Sequence, residues 1–221
     1  MLFRSDVIHS EAGQQKLYRN HFSSLSKTQK INFLDNLSTS MKQGKVTTIE
    51  ANEFLRGILN NSNILWDKFK AVEFMAKHGL IGVNELMNFD FEQFVPLDDS
   101  SIGLIRLLAA TGSPEAEAQL ISMSRDKNTA QSIYQIVQAL GKFQTQKSAE
   151  RLIEMFNEAY QKHDDELLLI LPSSLGQTGT PQAEKLLMEM VKKKSRYVVS
   201  VNRGIGLYSI KIEKDLDFIL I

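Results

Sequence analysis

The feature that most constrains this chain is that it repeats itself. A fixed period of roughly 20–50 residues commits a sequence to stacked copies of one supersecondary unit. Three segments line up: Thr111-Gly-Ser-Pro-Glu-Ala-Glu-Ala-Gln-Leu-Ile121, Gln144-Thr-Gln-Lys-Ser-Ala-Glu-Arg-Leu-Ile153 and Thr178-Gly-Thr-Pro-Gln-Ala-Glu-Lys-Leu-Leu187. Their shared Ala-Glu pairs fall at 116/117, 149/150 and 183/184, spaced by 33 and then 34 residues. Leu-Gly precedes the second and third copies at 140/141 and 175/176; in the first that position reads Leu108-Ala109.

Each piece has a physical task. Ser113 and Thr180 stand where an N-cap hydroxyl accepts from the free N–H groups of a first turn. Pro114 and Pro181 follow at the first helical position, where a missing N–H costs nothing. Gly141 and Gly176 suit the left-handed residue that ends a preceding helix. The motif is therefore a stop, a turn and a start between two antiparallel helices.

Between these turns the apolar spacing is helical: Ile133, Ile136, Val137 and Leu140; Leu152, Met155, Phe156 and Tyr160; Leu168, Leu171 and Leu175; Val198, Val201 and Ile205. The pattern predicts A helices over about 114–125, 146–161 and 181–194. It predicts B helices over about 100–110, 129–140, 165–175 and 196–208. Pro172, inside the third B helix, is expected to kink it or to start a new turn.

These linkers resemble the HEAT-like helical repeat family, in particular the short bacterial form of the bilin-lyase type with its Leu-Gly-x-x-Gly-(Asp/Ser/Thr)-Pro-x-Ala signature. Leu175-Gly-Gln-Thr-Gly-Thr-Pro-Gln-Ala183 matches almost throughout, and Leu108 to Ala116 matches apart from Ala109. The middle copy departs, with Phe143, Gln144 and Gln146 in place of Thr, Gly and Pro. The resemblance covers residues 99–210 and lacks the family's frequent Asp-x-x-Val-Arg opening of the B helix. It implies an all-α fold, a right-handed α-solenoid of antiparallel helix pairs, with HEAT-like repeats over 99–221.

Residues 1–98 are helical by pattern without repeating cleanly, and read as degenerate repeats or a cap of one continuous array. Ser26-Lys-Thr-Gln29 has the form of a capping box, followed by Ile31, Phe33, Leu34, Leu37 and Met41 and a stop at Gly44. Thr47-Thr-Ile-Glu50 opens a second helix, carrying Phe54, Leu55, Ile58 and Leu59. Asn63 to His78 forms a third that ends at Gly79. Residues 79–98, with Phe89, Phe91, Phe94 and Pro96, are the least regular stretch. The closing run Asp215-Leu-Asp-Phe-Ile-Leu-Ile221 has no polar cap, and the ends read as those of a fragment of a longer protein.

Composition removes several function classes. Lys plus Arg equals Asp plus Glu at 26 each, so the basic excess of a general nucleic-acid binder is missing. The absence of cysteine excludes disulfides, thiolate metal sites and Cys nucleophiles. No apolar run reaches the ~18 residues of a membrane span, and the N-terminus lacks a signal-peptide pattern. The cytoplasm is favoured for the chain as given, with an extracytoplasmic location if the N-terminus is truncated.

No motif supplies a catalytic constellation or a cofactor site. His9, His21, His78 and His163 are scattered. His163-Asp164-Asp165-Glu166 reads as a solvated loop with an Asp N-cap rather than a cation site. Gly204-Ile-Gly206 is too short for a phosphate fingerprint, and Trp66 with the Phe cluster reads as core. The basic run Lys192-Lys-Lys-Ser-Arg196 reads as cations at a helix C-terminus. What remains is the concave surface that stacked helix pairs create, lined by the B helices. By periodicity it carries Gln131, Gln135, Gln138, Arg196, Asn202 and Arg203, a weakly charged row suited to a protein or peptide partner. The expectation is a non-catalytic scaffold or adaptor that needs no cofactor. The alternatives are the helical repeat region of a larger lipid-handling or surface-associated protein, and a HEAT-like enzyme of the bilin lyase or DNA glycosylase class.

Overall fold

Two capping boxes set the first helices. Ser26 Oγ accepts from the Gln29 N–H at 3.3 Å while Gln29 Oε1 accepts from the Ser26 N–H at 2.9 Å, and α1 (Lys27–Lys42) runs on from there. Thr47 and Glu50 repeat the exchange at the head of α2 (Thr48–Asn61), where the Thr47 N–H donates to Glu50 Oε2 at 2.8 Å. Each pair satisfies first-turn N–H groups that have no partner inside the helix. α3 (Leu65–Lys77) and the short α4 (Val83–Met87) follow. Gly44 and Gly79 close α1 and α3 in the left-handed conformation, as the sequence predicts.

The computed structural model describes residues 22–89 and 100–192. Among these residues all regular structure is helical: ten α-helices, one 3₁₀ segment and no strand. The remaining elements are α5 (Ser100–Thr111), α6 (Pro114–Met123), the 3₁₀ segment Lys127–Ser132, α7 (Ile133–Phe143), α8 (Gln146–Lys162), α9 (Asp165–Thr178) and α10 (Pro181–Lys192). Chain contacts divide the protein into two units, Met1–Gly103 and Leu104–Ile221. The expected helix over 196–208, the basic run beyond Lys192, Gly204, Gly206, Phe91, Phe94 and Pro96 lie outside the described residues.

In the first unit the apolar faces of α1, α2 and α3 meet around Phe22, Leu37, Leu55, Ile58 and Met75, all fully buried or nearly so. Phe22, Phe33 and Phe54 form a ring cluster with centroids 5.4–6.0 Å apart. Against it lies an ion pair with both members buried: Lys30 Nζ donates to Asp67 Oδ1 and Oδ2, each at 2.8 Å. Trp66, expected in the core, is half-buried, with Lys27 and Lys70 Nζ at 5.9 and 6.0 Å from its ring centroid.

In the second unit the repeat is visible in the caps. Ser113 Oγ accepts from the Ala116 N–H at 3.2 Å, Thr145 Oγ1 from Ser148 at 3.2 Å and Thr180 Oγ1 from Ala183 at 3.4 Å. The residue before each cap is left-handed: Gly112 at φ 61°, Gln144 at φ 56° and Gly179 at φ 61°. This corrects the reading of Gly141 and Gly176 as helix ends. Both lie inside helices, α7 and α9, and the chain reverses three residues later. Gly141 instead permits close approach, because a Cβ there would stand 2.8 Å from the Ser174 carbonyl oxygen of α9. The caps also shift the alignment. Ser148, not Ala149, occupies the buried place of Ala116 and Ala183, so the middle Ala-Glu pair falls one residue late.

A serine in that place needs a partner, and the preceding A helix provides it. Glu117, itself buried, accepts from Ser148 Oγ at 2.7 Å, from the Ser148 N–H at 3.1 Å and from the Thr145 hydroxyl. At the other end Arg151 reaches back to the C-terminus of α6, donating from Nε to Ser124 Oγ at 2.7 Å and from Nη2 to the Ser124 carbonyl at 3.1 Å. Arg151 and Arg125 both pair with Glu154, which holds that carboxyl below its ordinary range through these hydrogen bonds. First turn therefore meets first turn and last turn meets middle, so α6 and α8 lie side by side and run the same way. α8 in turn touches α10, α7 touches α9, and each α7–α8, α8–α9 and α9–α10 neighbour pair is also packed.

Of the two outcomes expected at Pro172, a kink or a new turn, α9 excludes the second. It runs unbroken from Asp165 to Thr178 with Pro172 inside it. Proline forfeits one hydrogen bond to the turn before it. Here its ring is buried along with Leu168, Leu171 and Leu175 of the same helix, and no new turn begins.

Candidate binding face

The candidate face is built on α7 and α9. Ile136, Val137 and Leu140 of α7 are fully buried, as are Leu168, Leu171 and Leu175 of α9. With 3.6 residues per turn, each helix is left with an outward stripe. On α7 and the 3₁₀ segment leading into it, the stripe is Gln131, Tyr134, Gln135, Gln138 and Lys142, all exposed or half-buried. On α9 it is Glu166, Leu169, Ile170, Ser173 and Gln177.

Two contacts fix the register of the stripes. The Tyr134 hydroxyl donates to Glu166 Oε2 between the first turns, and Gly141 lies against Ser174 and Gln177 near the last turns. The helices are therefore parallel, and the stripes adjoin along their length. The Glu166 hydrogen bond favours the neutral phenol. Together with burial and the charges of Glu166 and Asp164, it pushes the Tyr134 pKa up to about 12.

The chemistry of this surface is neutral in its middle and charged at its ends. Gln131 and Gln138 are exposed, whereas Gln135 is half-buried and its Oε1 is enclosed with no hydrogen-bond partner among the described residues. An enclosed acceptor left unmade costs on the order of 1–3 kcal/mol. Leu169 is 59% exposed, a large apolar side chain next to the amide row. At the N-terminal end of α9, His163 turns the chain at φ 55°. Asp164 there caps the helix, accepting from the Leu167 N–H at 3.1 Å, as the sequence predicts. Asp165 and Glu166 follow in the first turn. Lys142 lies in the last turn of α7, at the opposite end.

Of the residues chosen from the sequence, Gln138 is exposed and Gln135 half-buried on α7, and Gln131 is exposed on the 3₁₀ segment before it. Arg196, Asn202 and Arg203 lie outside the described residues. Periodicity alone passed over Tyr134, Glu166 and Leu169. Leu169 carries a readable signal, since it is apolar and off the 168/171/175 stripe. The pairing of Tyr134 with Glu166, 32 residues apart, carries none.

Among the described residues no three His, Asp or Glu side chains gather to hold a metal ion, and no helix is long and apolar enough to cross a membrane. No family model, no curated protein and no solved structure matches the chain.

Proposed function

We propose that this protein is a non-catalytic binding scaffold, a HEAT-like array of antiparallel helix pairs wound as a right-handed solenoid, whose B-helix face takes up a protein partner. The array reading is supported by the three equivalent caps at Ser113, Thr145 and Thr180. The parallel course of α6 with α8 and of α7 with α9 supports it too. Stacked units of this kind present an extended surface made from one helix of each pair.

The observation that carries the functional reading is the composition of the α7–α9 stripe. It sets an aliphatic side chain, Leu169, 59% exposed beside a row of uncharged amides. Protein interfaces combine an apolar centre with hydrogen-bonding groups and few charges in the middle. A polyanion would require a cluster of basic side chains, and this stripe carries one, Lys142.

Comparative affinity capture tests the reading, with the wild-type chain, Leu169→Glu and Gln138→Glu on the face, and Lys147→Glu on the exposed side of α8 as control. Proteins retained by wild type and Lys147→Glu should be lost from the two face variants. Identical retained sets from all four chains would refute it.

A further inference from the structure

We propose that the ligand of the α7–α9 face is an extended polypeptide segment, laid lengthwise over the glutamine row, with an apolar side chain on Leu169 and a lysine or arginine at the acidic end. This rests on the protein-binding reading and adds the partner's conformation and charge.

The amides argue for an open main chain. A carboxamide offers a donor and an acceptor together. An extended segment has unspent N–H and C=O groups to match both, whereas a helix has closed its own internally. The enclosed Gln135 Oε1 has no partner among the described residues. A swing of that side chain outward onto a ligand N–H would supply one.

The ends of the face give the segment its charge and direction. Because α7 and α9 are parallel, both N-termini lie at one end, where Asp164, Asp165 and Glu166 stand against Lys162. Acids prevail there, while Lys142 stands at the other end of α7. Leu169 sits one turn in from the acids, so the apolar side chain of the ligand follows its cation closely.

The test selects binders from two displayed libraries, random linear peptides and a folded helical scaffold, on the immobilised full chain. Enriched sequences are synthesised and measured by fluorescence polarisation. Linear binders carrying an apolar residue beside Lys or Arg are expected, with affinity falling as salt is raised. Leu169→Glu should weaken them by about tenfold or more, Gln138→Ala by about three- to tenfold, and Glu166→Lys should remove the preference for a basic residue. These side chains are exposed, so circular dichroism should show each variant folded. Binders drawn only from the folded scaffold, and lost on Leu169→Glu, would overturn the extended segment while leaving the face as the docking surface. Binders from either library that are indifferent to all three substitutions would overturn both.

Discussion

Replacing Gly141 by alanine sets two well-known effects against each other, and the geometry decides the sign. Inside a helix, Gly→Ala is ordinarily favourable by about 1 kcal/mol. At Gly141 the new methyl would stand 2.8 Å from the Ser174 carbonyl oxygen, 3.1 Å from Ser174 Cα and 3.1 Å from Gln177 Oε1. Two of those three atoms are α9 backbone, which cannot rotate away as a side-chain tip can. Overfilling a packed contact costs typically 1–3 kcal/mol. The expected net effect is a destabilisation of about 1 kcal/mol, from α7 being forced off α9. Urea unfolding followed by circular dichroism should show a lower midpoint at an unchanged slope. Gln177→Ala added to Gly141→Ala should recover only part of the loss, because the backbone contact persists. A midpoint equal to or above wild type would refute the close approach, and with it the register that joins the two stripes of the binding face.

Other substitutions probe the remaining joints. Gln144→Gly relieves a left-handed non-glycine residue and should stabilise the chain by about 1 kcal/mol in the same urea assay; a loss of stability would contradict the assigned helix end. Glu117→Ala leaves the Ser148 and Thr145 donors without their buried acceptor and should cost about 2–3 kcal/mol, whereas a change within 0.5 kcal/mol of wild type would mean that the α6–α8 joint is made otherwise. For Tyr134, the raised pKa means that the hydrogen bond to Glu166 adds stability below pH 10.0, the ordinary value, and that this is lost as pH climbs through about 12. Ultraviolet difference titration against Tyr134→Phe should show a late-ionising phenol that returns toward its ordinary value in Glu166→Gln. His78 is shifted the other way, lowered first by burial and then by Lys77 and Lys42 from an ordinary 6.5. Its contribution is therefore present above pH 6.5 and lost as pH falls through the lowered value, a dependence that His78→Gln should abolish in acid titrations.

Local signals in the sequence carried most of the helical layout. Capping boxes at Ser26 and Thr47, and the hydroxyl–proline starts at Ser113 and Thr180, act within four residues of themselves, so their chemistry can be read from neighbours. The glycines of the Leu-Gly pairs were misread because one residue type serves two physical ends. It can adopt positive φ, and it can let two backbones approach. Only the position of α9 against α7 shows that Gly141 serves the second. The true left-handed residue of the middle copy was hidden because it is a glutamine, Gln144. Buried charge was equally out of reach. Glu117 looks like a surface acid until its donors 28 and 31 residues away are placed beside it. Lys30 finds Asp67 at a separation of 37. On the candidate face, the exposure of Gln131 and Gln138 was legible from period alone, while Leu169 and the Tyr134–Glu166 contact depend on which helix lies next to which.

Hydrogen exchange with mass spectrometry, on the full chain with and without a selected binder, tests the central claim most directly. A ligand seated on the α7–α9 face should slow exchange across residues 127–142 and 166–177, and leave α6, α8 and α10 at their unbound rates. Protection confined to residues 27–87, or to α6, α8 and α10, would contradict the account.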